Sequence, residues 1–452
     1  MHCEIFLREF DSKLLLAILA ASKGHQVIVS DIESIEKGIK RGFLKPGIFH
    51  TKSLTPSKKK ILRHKYLVKT GCKISSIDEE GGLVVKGYDE FAKRRYSDET
   101  LETSSMVFAW GKEDSETLKK IFPKYSSKIY MTGSPRVDLW KPMFSDTSSI
   151  PSKFSKKPYI LITSNLGAVN GNFSFHETIK KLKGSDYHKR DPNIINVCFG
   201  RAAEQIKIIY SFIEAIELLA KNNKGYDIVL RPHPSENIES WKIFLKDIVN
   251  VYVIREGPIN AWVKGSFAVI HNGCTTGYEA IVSKKTLISY VPFPLKYGND
   301  LTNQLGYIVN DKHTLLNMVN NILSHSKTNY EKKFNLLKNN LLLEKIYLDN
   351  NELSAEKILK VWEQNEDSNL SNTNNWFLFK LSLKIMKLNG IFGGLFKRLI
   401  NKNFQKRENF KFPPLNKKII NEKKRKLQKV LGISVQIDCQ LLSDRTLLIK
   451  KR

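Results

Sequence analysis

Apolar runs too short to cross a membrane alternate with amphipathic stretches along most of this chain. In the first part, strand patterns fall at 4–10, 26–30, 48–53, 72–77, 105–110 and 128–132. Helical patterns at 12–22, 33–40, 57–70 and 114–121 separate them, with Gly24 and Gly71 as stops after two of them. A polar Ser/Thr/Lys/Pro segment at 143–157 reads as a linker. A second series follows, with strands at 159–163, 226–230, 267–270 and 286–290 and helices at 202–222 and 312–322. Repeated βα units predict parallel sheets with helices on both faces. The expected division is a Rossmann-like domain over 1–142, a linker over 143–157, a second Rossmann-like domain over 158–350, and a tail over 351–452. Two doubly wound halves of this kind imply a cleft onto which the strand carboxyl ends face.

The stretch from Tyr226 to Glu279 organises the second half. Its first strand ends on Arg231-Pro232-His233-Pro234, and its second on His271-Asn272-Gly273-Cys274-Thr275-Thr276. Open α/β sheets bind ligands beyond the carboxyl ends of their strands. A helix starting after Asn272 has backbone N–H groups able to receive an anion. Asn272, Thr275 and Thr276 also suit ordinary caps and turns. Two prolines fix the backbone around His233, which aims an imidazole and the Arg231 guanidinium in set directions. Glu279 suits ribose hydroxyls or simply balances a helix N-terminus, and His271 suits a ligand or a satisfied core histidine. Asn165, in the loop after the strand at 159–163, joins this donor-side set.

Charge adds a separate feature. The chain has 452 residues and a net charge of +29, which implies anionic company. From Trp376 onward there are 20 Lys and Arg against four Asp and Glu, so the tail supplies +16 of that charge. The five cysteines are scattered without paired spacing, which fits neither a disulfide framework nor a zinc site. No signal-peptide organisation opens the chain, and the expectation is a cytoplasmic protein, peripheral at the inner face of a membrane. The apolar residues from Trp376 to Leu388 crowd a helix whose Lys380, Lys384 and Lys387 form one stripe, followed by Lys397, Arg398, Lys402, Lys406 and Arg407. That pattern suits a helix lying on an anionic membrane, or one packed on the body with solvated lysines.

The other candidate chemistry is the loop Asp78-Glu79-Glu80-Gly81-Gly82 at a strand end. Adjacent carboxylates repel, which raises a pKa toward the range of a general base, although an acidic run also suits a solvated turn. Arg8, Glu9 and Asp11 are expected at the end of the first strand, with Asp11 also readable as an N-cap. No G-x-G-x-x-G, P-loop or Ser-His-Asp order occurs, and no cluster has metal-ligand spacing.

Asp78-Glu79-Glu80-Gly81, Arg231-Pro232-His233-Pro234 and Thr275-Thr276 resemble signatures of bacterial GT-B glycosyltransferases that use CMP-activated sugars of the sialyl or Kdo type. With Arg8-Glu9-Phe10-Asp11, Trp110-Gly111 and the run from Thr132 to Leu139, the chain is similar to proteins of surface carbohydrate biosynthesis. The resemblance covers about residues 1–350. It implies a metal-independent transferase without cofactor, whose co-substrate is a nucleotide sugar. It makes Glu79 the base, Glu80 its neighbour, and His233, Thr275 and Thr276 the holders of donor phosphate, with Arg231, Pro234, Asn272 and Gly273 around them. Arg8, Asp11 and Arg136 become acceptor-side candidates, for a glycan or lipid-linked acceptor. Gly133-Ser134-Pro135-Arg136-Val137-Asp138 and Arg231-Pro232-His233-Pro234 also resemble CDP-glycerol glycerophosphotransferases, which share the GT-B plan. A non-catalytic polysaccharide- or nucleic-acid-binding protein is the remaining reading, although no nucleic-acid fold is recognised in the tail.

Overall fold

The computed structural model describes residues 1–452 apart from 82–86, 148–149, 155, 172, 186–187, 189–190, 224, 298–299, 325–341, 367–373 and 401–410. At residue 300 and at 389–400 only the backbone is described. Gly82, Lys402, Lys406 and Arg407 therefore lie outside the described residues, as do the side chains of Lys397 and Arg398. The chain forms two compact α/β units: Met1–Thr147 with Leu343–Arg452, and Ser148–Leu342. The boundary falls inside the expected linker.

In the first unit, β1 (Val27–Ser30) stands apart from β2 (Ile48–Thr51), β3 (Lys73–Ile77), β4 (Met106–Ala109) and β5 (Ile129–Met131). The last four form a parallel sheet in sequence order. All residues of β4 are buried, as expected for a parallel strand covered on both faces. The strand expected at 4–10 is instead the start of a helix, Phe6–Ser22. Residues 1–3 supply the extended segment: His2 bridges Ser30 in parallel, and its N–H donates to His50 O at 2.9 Å. The polar residues Glu9, Ser12 and Lys13 are buried on this helix, which blurs the helical period in the sequence. Asp11 is consequently no N-cap; it lies inside the helix, and its carboxylate pairs with Lys423 at 2.5 Å.

Residues 351–452, expected as a separate tail, belong to this unit. The returning chain docks on two sequence motifs. The Trp110 carbonyl accepts from Tyr347 N at 2.6 Å, and a Cβ at Gly111 would meet the Lys345 carbonyl carbon at 2.6 Å. Only glycine permits that approach. Asp138, fully buried, accepts from Ser354 N at 3.0 Å and Ala355 N at 2.9 Å, so it caps the helix Ser354–Gln364. Farther on, β12 (Ile437–Ser443) and β13 (Thr446–Lys451) form an antiparallel pair that adds to β1 in the order β1-β13-β12. The first β-strand is thus paired by the end of the chain. No local pattern could announce that pairing.

The second unit holds a parallel sheet of six strands: β6 (Tyr159–Thr163), β7 (Asp227–Arg231), β8 (Val251–Val253), β9 (Ala268–His271), β10 (Thr286–Tyr290) and β11 (Tyr307–Val309). Their order is β11-β10-β9-β6-β7-β8. The chain moves outward from β6 to β8, returns to the other side of β6 at β9, and moves outward again. This is the doubly wound order with a reversal between β6 and β9. Ile160, Ile228, Ile270 and Ile288 pack with Phe212 and Ile216 of the helix Ile194–Lys221 to form the core on one face. That helix begins eight residues earlier than the sequence pattern suggests.

Candidate functional site

Sheet register aligns the carboxyl ends of the central strands in the second unit. Thr163 pairs with both Arg231 and His271, and His271 pairs with Ser289. Immediately beyond this row the chain leaves the sheet in loops that carry Asn165, His233 and the Gly273–Thr275 turn. The loops after β6 and β9 flank the reversal point, where open sheets of this order receive ligands. The two polar clusters thus lie where the sequence placed them.

Glu236, which belongs to none of the motifs above, holds two of these loops. Its carboxylate is fully buried and accepts from Ser164 Oγ at 2.9 Å, Trp241 Nε1 at 2.8 Å and His233 N at 3.0 Å. The first donor belongs to the loop after β6 and the last to the turn after β7. Arg255 adds a bond to the Glu236 carbonyl at 2.6 Å and one to the His233 carbonyl at 3.2 Å. A glutamate three residues after His233, in His-Pro-Ser-Glu, is the signal that could have found it.

The His233 ring is exposed at the tip of this turn. Its Nδ1 accepts from Ser235 N at 3.2 Å and lies 2.7 Å from Ser235 Oγ. A backbone N–H can only donate, so the neutral ring carries its proton on Nε2. The turn therefore presents a ring N–H donor at a fixed angle. Pro234, also exposed, follows it.

Arg231 does not point where the sequence suggested. Its guanidinium donates to the Glu256 and Gly257 carbonyls, the latter at 2.9 Å, and lies over the Trp262 ring at 5.3 Å. Burial pushes its pKa down to about 10. The fork expected on phosphate ties down the 255–257 segment instead. His271 is the satisfied core histidine: Nδ1 accepts from Cys274 N at 3.2 Å, Nε2 lies 3.0 Å from Ser289 Oγ, and burial lowers its pKa to about 3.

In the turn after β9, Asn272 is buried and donates to Tyr290 O at 2.7 Å. Gly273, at φ +64°, donates to Asn303 Oδ1 at 2.7 Å. Thr275 is exposed and makes no side-chain capping bond to the helix Thr276–Val282, so the capping role open to it in sequence is not taken. Thr276 is buried beside Cys274, with its hydroxyl 3.2 Å from Cys274 Sγ, and Glu279 is buried in the first helical turn. Asn165 is exposed, and Gln205 braces its loop from the long helix through Ala168 N at 2.9 Å and Asn165 O at 3.2 Å.

In the first unit, the side chains of the acidic loop after β3 meet three cations. Asp78 is buried and receives both Nε and Nη2 of Arg95 at 2.7 Å. Glu79, 5% exposed, accepts from the buried Lys13 at 2.5 Å. Glu80, with 48% of its side chain exposed, pairs with Arg95 at 3.1 Å and Arg8 at 3.3 Å. Arg8 in turn pairs with the buried Glu9, which lies 3.9 Å from Lys13. Cations and carboxylates alternate along one chain of contacts, so the three acidic side chains do not form the mutually repelling cluster expected from sequence. Burial would lower the Lys13 pKa, but Glu79 and Glu9 outweigh it and raise it. Arg136 donates to the Glu79 carbonyl at 2.7 Å and lies over the Trp110 ring, which donates to the Asp78 carbonyl at 2.7 Å. Among the acceptor-side candidates, Arg8 and Arg136 therefore adjoin the acidic loop. Asp11 is engaged by Lys423 instead.

Beneath the loop lies Asp114, which sequence reasoning did not single out. It accepts from Trp110 N at 2.8 Å and contacts the Tyr88 hydroxyl. Burial, with a further push from Asp78 that the Trp110 bond opposes, raises its pKa to about 7.

No family model matches this chain, and no curated protein matches it. Among solved structures, it is similar to the UDP-GlcNAc 2-epimerase of Methanocaldococcus jannaschii, at 16% identity and a TM-score of 0.43 over 74% of this chain and 80% of that one. The UDP-GlcNAc 2-epimerase of Neisseria meningitidis bound to UDP-GlcNAc matches at 12% identity and 0.39, over 81% and 84%. The wall teichoic acid polymerase TagF matches at 12% and 0.44, over 75% and 76%. Identities this low transfer neither activity nor substrate.

Proposed function

We propose that the protein is a GT-B glycosyltransferase of bacterial surface-polysaccharide assembly, independent of metal, which uses a nucleotide sugar with CMP as the leading nucleotide. The observation that carries the reading is the reversal point of the second sheet. Two loops flank it, and the neighbouring turn presents a ring N–H fixed by Ser235 and Glu236. In the transfer step the acceptor hydroxyl attacks the anomeric carbon, and the carbon–oxygen bond to phosphate breaks. The electron pair stays on the phosphate oxygen, where the His233 N–H and the Thr275 hydroxyl stabilise it. The acceptor proton goes to a carboxylate of the acidic loop.

Glu80 suits that role better than Glu79. Its side chain is half-exposed, whereas Glu79 is buried against Lys13. Glu80→Gln is expected to cut turnover by roughly a hundredfold while leaving donor affinity nearly intact. Release of free nucleotide from CMP-, UDP- and CDP-linked donors measures it. Full turnover by Glu80→Gln removes Glu80 as the base. The product distinguishes sugar transfer from the related transfer of glycerol phosphate: only the latter carries donor phosphorus into the acceptor.

A further inference from the structure

Over Trp376–Leu388, the helix Trp376–Ile400 is apolar on two separate faces, and among the described residues only one of them packs against the fold. Phe379 and Leu383 are buried against Leu44, Leu442 and Leu448, with Trp376 and Met386 partly buried beside them. The chain just before the helix is pinned as well: Asn375 N donates to Phe43 O at 2.9 Å and Lys45 N to Asn374 Oδ1 at 2.8 Å. The helix is thus fastened to the first unit along one stripe. The expectation that it either packs on the body or lies on a membrane treats as alternatives two roles that different faces can fill.

On the other side, Phe377 (76% exposed), Leu388 (55%), Leu381 (44%), Ile385 (43%) and Leu378 (38%) lie together. At 3.6 residues per turn they share one arc of about 100°. Lys380, Lys384 and Lys387 fill the sector between this arc and the docked stripe, and Lys387 also pairs with Asp444 at 3.2 Å. A convex apolar ridge flanked by ammonium groups has the profile of a helix lying in the headgroup layer. Its apolar side chains enter the acyl boundary while the lysines stay at headgroup level. Among the described residues no helix is long and apolar enough to cross a membrane.

We propose that this ridge docks the first unit on an anionic lipid bilayer through Phe377, Leu378, Leu381, Ile385 and Leu388, with Lys380 and Lys384 on the headgroups. Charge complementarity selects the lipid surface: Lys380, Lys384 and Lys387 border the ridge, in a sequence that carries a net +16 from Trp376 onward.

Flotation of the full-length chain with vesicles tests this. Wild type is expected to float with phosphatidylglycerol-containing vesicles at low salt, and to bind pure phosphatidylcholine at least tenfold more weakly. The triple variant Leu381→Gln, Ile385→Gln, Leu388→Gln alters only exposed positions. It is expected to lose at least tenfold in vesicle binding with an unchanged melting temperature. Lys380→Gln with Lys384→Gln is expected to lose about fivefold per lysine at low salt, and less at high salt. Vesicle binding by the triple variant equal to wild type overturns the proposal. So does concentration-dependent dimerisation in solution that the triple variant abolishes, because the ridge then serves a second copy of the chain.

Discussion

Glu236→Ala is expected to lower the stability of the second unit by about 3–5 kcal/mol, because it strands several buried donors at once. The carboxylate receives Ser164 Oγ, Trp241 Nε1 and the His233 amide. A methyl group in its place takes the acceptor from the buried Ser164 hydroxyl and Trp241 indole, which costs more than the loss of an average hydrogen bond. For a unit of this size the melting transition should fall by roughly 10 °C. Function should fail with it, because the same bonds set the position of His233. Glu236→Gln is an informative companion. Its amide keeps the volume but turns an N–H₂ group toward converging donors, so the loss should be intermediate. An unaltered melting temperature for Glu236→Ala would show that the carboxylate does not hold these loops.

Asp114 should impose a pH dependence on the first unit. Its pKa rises from 3.8 to about 7 in the folded state, so the native protein keeps a proton that the unfolded chain releases. That contribution is fully present below about pH 4 and disappears as pH rises to about 7. Its slope is about 1.4 kcal/mol per pH unit, or about 4 kcal/mol in all. Asp114→Asn cannot ionise, yet its side-chain oxygen can still accept from Trp110 N. Urea unfolding at mildly acidic and mildly alkaline pH should therefore show the variant gaining on wild type as pH rises. Parallel stability curves for the two proteins would refute the assignment. The group lies beside the acidic loop, so a change in its protonation also alters the field at Asp78.

What was legible in the sequence divides by distance along the chain. An apolar run that stops at Arg231, and another that stops at His271, locate the carboxyl ends of β7 and β9 from local pattern alone. The order in which strands lie side by side is tertiary, and so the reversal between β6 and β9 had to be seen. The same division separates His233 from Arg231. Two prolines fix where the turn goes, and Ser235 two residues later sets the tautomer. The guanidinium is claimed by carbonyls some 25 residues away. The acidic loop was visible as a run of carboxylates, but its cations come from three distant places, Arg8 with Lys13, Arg95, and Arg136. Trp110-Gly111 and the Gly133–Asp138 motif turn out to anchor the returning chain, a role invisible without residues 345–355. The tail misled for a simpler reason. Basic composition is shared by solvated tails and by folded segments whose lysines point outward, and only β1 reveals that β13 is its partner.

Calorimetric titration of the intact protein with CMP, CDP, UMP and UDP, with His233→Ala titrated alongside, tests whether the second unit holds a nucleotide at the turn that carries His233. One of these nucleotides is expected to bind wild type with saturable heat. Binding should weaken about tenfold or more in His233→Ala, whose melting temperature stays the same because the ring itself is exposed. No binding of any of the four nucleotides, or equal affinity in His233→Ala, would contradict a nucleotide site at that turn.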